Sequence, residues 1–102
     1  MTEAIRDLES KLFDRKNNPK TNSYTSHLFA AGEDEIVKKI GEEAVEVILA
    51  AKGQGDWRVI EESADLIYHL LVLLVSRGLS WSAVETELQR RKTLGKEQPE
   101  VQ

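Results

Sequence analysis

The sequence contains no cysteine and only two histidines. The first absence excludes a disulfide framework and thiolate zinc sites, and the second leaves too few imidazoles for a histidine-rich metal centre. Two prolines and 6% aromatic residues complete the scarcities. No segment alternates apolar and polar residues with period two, so strands are not expected. The longest strongly apolar run, Leu66 to Val75, is about half of the roughly 20 residues that a membrane span requires. The N-terminus lacks the basic, apolar, small-residue order of a secretory leader, and a soluble cytoplasmic protein is expected. At 102 residues the chain fits one domain, residues 1–102. Without disulfides that domain must draw its stability from packing, a metal or an oligomer.

What the chain has is acid, and it is unevenly placed. Residues 1–32 and 66–102 each carry five basic and four acidic side chains, whereas residues 33–65 carry four basic and ten acidic. The net charge of −4 is thus a central third at −6 between two weakly basic flanks. Such a segment repels a nucleic-acid backbone and suits either solvent or a cation.

The spacing predicts helices between Asn17-Asn18-Pro19, Gly32, Gly53-Gln54-Gly55, Gly78 and Gly95. Ile5, Leu8 and Leu12 give segment 3–15 a helical stripe. The polar segment 16–27 reads as loop, followed by a short helical piece at 28–31. The main helices are expected over 33–52, with Gly53 just past the end, and 56–77, with Asp56 as N-cap and Gly78 past the end. Ser80 can cap a last helix to about Lys92, and the tail 95–102 is expected to fray. The fold class is therefore all-α, a bundle of about four helices around a central antiparallel hairpin of 33–52 and 56–77.

That hairpin carries a repeated pattern, Glu42-Glu43-x-x-Glu46 and Glu61-Glu62-x-x-Asp65. Residues three apart share a helix face, so Glu43 pairs with Glu46 and Glu62 with Asp65, with Glu42 and Glu61 at the margins. The centres of the two quartets are equidistant from Gln54, each about 14 Å from the turn at ~1.5 Å rise per residue. Both stripes have apolar borders. Clustered carboxylates in such a setting repel one another and call for a cation. An all-oxygen set on two rigid helices favours Mg²⁺, with positions left for water and phosphate. Lys38 and Lys39, one turn earlier, can pair with Glu42 and Glu43 or reach phosphates. His69 reads as a group that orients Asp65, the alternative being an ordinary inter-helix hydrogen bond. Arg90 and Arg91 are surface cations by default.

At these residues the chain resembles the phosphoribosyl-ATP pyrophosphohydrolase family. The resemblance rests on Ser23-Tyr24-Thr25, on Lys38 to Glu46, on Glu62-Ser63-Ala64-Asp65-Leu66-Ile67-Tyr68-His69-Leu70-Leu71 and on Glu87-Leu88-x-x-Arg91. The carboxylate pairs alone mark only the wider all-α superfamily of nucleoside-triphosphate pyrophosphatases similar to MazG. The resemblance implies the stand-alone enzyme of the second step of histidine biosynthesis, a homodimer that hydrolyses 1-(5-phosphoribosyl)-ATP to 1-(5-phosphoribosyl)-AMP and pyrophosphate with Mg²⁺. By position it implies Glu43, Glu46, Glu62 and Asp65 as metal ligands and Glu42 as an outer ligand or the base that orients the attacking water. Lys38, Lys39, Arg91, Tyr24 and Thr25 would meet the substrate. Glu35 departs from the family pattern, where many relatives carry lysine. Two other readings stand beside this one: a pyrophosphatase acting on a free nucleoside triphosphate, and a non-catalytic helical dimerisation module.

Overall fold

A computed structural model describes residues 3–95. Its elements are α1 (Glu3–Asn17), α2 (Tyr24–Ala31), α3 (Glu33–Gly53), α4 (Asp56–Ser76) and α5 (Trp81–Thr93). The all-α class and the antiparallel α3–α4 hairpin match the expectation, but the described residues form five helices rather than about four. The difference lies at residues 24–27, expected as loop. Ser23, in extended conformation, caps α2 by accepting the Ser26 N–H at 3.1 Å. Thr25 and Ser26, whose hydroxyls compete with helix formation when solvated, are buried and hydrogen-bonded here.

The turn between α3 and α4 also differs in detail. Gly53 is the last residue of α3 rather than the residue beyond it, and Gln54 is its cap. Gly55, with φ 93°, makes the reversal and stands as N-cap of α4 in place of Asp56, which is the first helical residue. At the other end of α4 the expectation for Gly78 holds. With φ 72° it donates to Val75 O at 2.9 Å, and Leu79 donates to Leu74 O at 2.8 Å, closing a Schellman motif. Ser80 is the N-cap of α5, although its hydroxyl pairs with Ser82. Glu9 of α1 instead accepts the Trp81 N–H at 2.6 Å. Of the tail expected to fray, only Gly95 is among the described residues.

The core sits at the end of the hairpin away from the turn. Ile36 of α3, Leu71, Val72 and Val75 of α4, Leu12 of α1 and Leu28 of α2 form one buried cluster, with Trp81 against its side. Ile36 and Val72 are equally distant in sequence from Gln54, as two residues level across an antiparallel pair must be. Two polar clamps hold this end. Lys16 donates to Val75 O at 2.9 Å, a second donor beside Gly78 to a carbonyl in the last turn of α4, where a cation also suits the helix dipole. Arg77 forks onto Glu33 with two bonds of 2.7 Å, joining the end of α4 to the start of α3. With the core at one end and the turn at the other, the middle of the hairpin is left for the carboxylates.

Among the described residues no helix is long and apolar enough to cross a membrane.

Candidate metal and phosphate site

Glu43 and Asp65 each stand eleven residues from Gln54, on opposite sides of the turn, and Glu62 precedes Asp65 by three. The hairpin therefore brings these three side chains to one level. Glu43, Glu62 and Asp65 each offer a carboxylate oxygen within 4.8 Å of the other two. They are half-buried, buried and exposed respectively. Three oxygens holding one Mg²⁺ at ~2.1 Å would stand about 3.0–4.2 Å apart, so the trio would have to draw together to hold such an ion, a movement that carboxylate side chains can make by rotation. All its donors are hard oxygens, and its exposed side leaves room for water and phosphate.

Glu46, the fourth acid in the expected set, lies outside the trio although it is half-buried one turn along α3. Glu42 is exposed and takes Lys39 at 3.2 Å. That bond is the first cause that holds the Lys39 ammonium above its ordinary value, with Glu43 and Tyr24 contributing the same way from farther off. Lys38 is exposed and makes no polar contact among the described residues. Arg91 donates to Glu87 of its own helix at 3.0 Å.

Arg58 was not foreseen. One of its guanidinium nitrogens donates to Glu61 at 2.6 Å and the other to Glu62 at 2.7 Å. Glu62 is 6% exposed, so its carboxylate needs a compensating charge when no cation is bound. The Arg58-x-x-Glu61-Glu62 spacing was a readable signal, because a cation three and four residues before two acids faces both on one helix.

His69 is buried, and its contacts differ from the expected role. It meets the backbone carbonyl of Asp65 through Nδ1 at 2.8 Å, not the carboxylate, and the Tyr24 hydroxyl through Nε2 at 2.9 Å. A carbonyl only accepts, so Nδ1 carries the proton and, in the neutral ring, Nε2 accepts from Tyr24. Burial is the leading cause that raises the Tyr24 phenol above its ordinary value, which keeps it a donor. Thr25 is hydrogen-bonded to the Tyr68 hydroxyl. The rings of Tyr24 and Tyr68 stack at 6.4 Å, and that of His69 meets Tyr68 edge-on at 5.0 Å. The Ser23-Tyr24-Thr25 segment and the Tyr68-His69 pair are thus one contact, which fixes the start of α2 beside the acidic face of α4.

The model of the phosphoribosyl-ATP pyrophosphohydrolase family matches residues 5–92, nearly all the described chain. The chain belongs to this family. Similar curated relatives carry the name phosphoribosyl-ATP pyrophosphatase in distant organisms. The one from Limosilactobacillus fermentum is 48% identical over 95% of this chain and 97% of its own length. That from Pelotomaculum thermopropionicum is 50% identical over 88% and 92% respectively. The relative from Pyrobaculum neutrophilum is 48% identical over 87% and 95%. Within the pyrophosphohydrolase family match fall the carboxylate trio, Arg58 and the aromatic contact alike.

Proposed function

We propose that this chain hydrolyses 1-(5-phosphoribosyl)-ATP to 1-(5-phosphoribosyl)-AMP and pyrophosphate, the second step of histidine biosynthesis, as a cytoplasmic Mg²⁺-dependent enzyme of a single domain. The observation that carries the reading is the convergence of Glu43, Glu62 and Asp65 in a chain whose relatives bear that activity in their names. A divalent ion held there would neutralise the charge that develops on the departing pyrophosphate. The protein's own residues have separate tasks. Glu43, Glu62 and Asp65 are the ligands, with Glu46 as an outer contributor. Glu42, beside Glu43 but exposed, orients the attacking water, and Lys39 holds its carboxylate in place. Lys38 faces the substrate phosphates without having to leave a partner, whereas Arg91 must first release Glu87. Tyr24 and Thr25 meet the substrate, Tyr24 also keeping His69 and the Asp65 turn in position.

The enzyme works as a homodimer in this reading. Val45, Ile48 and Leu49 of α3 and Trp57 and Ile60 of α4 are 47–68% exposed, leaving an apolar face near the hairpin turn that a second copy would cover.

Pyrophosphate release with Mg²⁺, compared across phosphoribosyl-ATP and a panel of nucleoside triphosphates, tests the reading. Release from phosphoribosyl-ATP at a kcat/KM well above the panel is expected. Preference for a free triphosphate would give the alternative substrate class, and no release from any would leave a dimerisation module. Glu42→Gln should cut turnover about 100-fold while Mg²⁺ affinity stays within about twofold, and undiminished turnover would remove Glu42 from its role.

A further inference from the structure

Tyr68, three residues beyond Asp65 of the trio, also lines a second polar hollow. A cleft of about 370 Å³ opens between α1 and the loop before α2, with Lys11, Arg15 and Lys20 around it and Leu12 and Tyr68 among its lining. No carboxylate lines it. Asp14 pairs with Arg15 at 2.6 Å, but neither Lys11 nor the Lys20 ammonium has a polar partner among the described residues. The loop is held in shape. The Lys20 N–H donates to the Ser26 hydroxyl at 3.0 Å, and His27 Nε2 donates to Thr21 O at 2.7 Å. The Ser23 hydroxyl, which accepts from Ser26, keeps its own proton free to donate.

We propose that this cleft binds the phosphate monoester of the substrate's N-linked ribose, and that it is what separates phosphoribosyl-ATP from a free nucleoside triphosphate. The proposal rests on the functional reading above and deepens it. The two ends of that substrate need opposite surroundings. A triphosphate that arrives with a divalent ion is served by acidic ligands. A bare monoester dianion carries no cation and needs cationic side chains. The structure supplies the acidic set on α3 and α4 and the cationic one on α1 and the loop before α2, with Tyr68 of α4 lining the latter. Tyr68 lines the cleft and stands three residues from Asp65, about 4.5 Å along the helix. The volume is that of a small-ligand site, and Leu8 and Tyr68, both half-buried, offer an apolar surface to a sugar face while the cations and Ser23 take the phosphate.

The test uses ribose 5-phosphate on the metal-free full chain, followed by amide NMR, with ribose and inorganic phosphate as controls. Ribose 5-phosphate should shift Ser23, Thr25 and Tyr68 and bind more tightly than inorganic phosphate, with ribose giving no shifts. Lys11→Glu/Lys20→Glu, at two exposed positions, should weaken that binding and raise KM for phosphoribosyl-ATP by about tenfold, leaving Mg²⁺ affinity within about twofold. Lys11→Gln/Lys20→Gln should do the same to a smaller extent. No shifts, shifts undiminished in the double variants, or inorganic phosphate binding as tightly would overturn the assignment. Should the wild-type chain release no pyrophosphate from phosphoribosyl-ATP, the functional reading fails, and the ribose 5-phosphate arm still decides whether the cleft is a sugar-phosphate site.

Discussion

The two acid quartets are the same in pattern and unequal in use. On α4 both acids of the Glu62/Asp65 pair join the trio, whereas on α3 Glu43 joins and Glu46 does not. Their compensation differs as well. Arg58 forks across Glu61 and Glu62, while on α3 Lys39 holds only the marginal Glu42. Two antiparallel helices meet along a line rather than a plane, so equal spacing from a turn makes residues level without making every pair face its counterpart. The lesson is that a repeated motif specifies height along a hairpin, and the rotation of each helix about its axis decides which members converge.

That asymmetry can be broken most directly by comparing Asp65→Asn with Glu46→Gln. Asp65→Asn should cost at least about 100-fold in pyrophosphate release together with weakened Mg²⁺ binding, and Glu46→Gln about tenfold or less. Titration of Mg²⁺ by calorimetry beside steady-state rates checks both. Equal losses would put Glu46 among the ligands and restore the symmetry of the two quartets. Without metal, Asp65→Asn relieves repulsion within the trio and should raise the melting temperature by about 2–4 °C. A solvated surface acid would not show that combination.

Arg58→Gln sharpens the comparison from the cationic side. Removing a positive charge from beside the trio should tighten Mg²⁺ binding about threefold. The same change leaves the buried Glu62 carboxylate uncompensated, so the metal-free protein should melt at lower temperature. Added Mg²⁺ should then stabilise the variant more than the wild type. A variant with weaker Mg²⁺ binding would instead make Arg58 a positioning residue for Glu62.

Much of this was legible in the sequence, for identifiable reasons. The apolar periodicity of α4, the Gly78 stop and the level placement of the quartets about Gln54 are local properties of helices, and they survive folding unchanged. The start of α2 was hidden because Thr25 and Ser26 favour loops until burial gives their hydroxyls partners. Ser23 was the readable cap that composition obscured. The role of His69 needed the fold, since its partners are a backbone carbonyl and a tyrosine 45 residues away. The cleft with Lys11, Arg15 and Lys20 was illegible for the same reason. Its cations are scattered over ten residues in the more balanced N-terminal third, and only the return of the chain past α1 gathers them.

The smallest expected effect comes from a carboxylate that serves as a control for the quartets. Glu87 on α5 is satisfied by cations alone, taking Arg90 through two bonds of 2.9 and 2.8 Å and Arg91 through one of 3.0 Å. The Arg90 and then the Arg91 hydrogen bonds hold it down from 4.5 to about 2. A depressed acid contributes stability above its unfolded value and loses it as pH falls through its folded value. The contribution of Glu87 is therefore fully present above about pH 5 and disappears towards pH 2, with only a slight effect because the group is solvated. Amide shifts at the end of α5, followed by NMR, should move in that window in the wild type and remain flat in Glu87→Gln. The trio acids should respond to Mg²⁺ at neutral pH while Glu87 does not, because paired cations already occupy its oxygens. A Glu87 resonance that moved with Mg²⁺ as the trio does would bring α5 to the metal, and with it Arg91 to the phosphates.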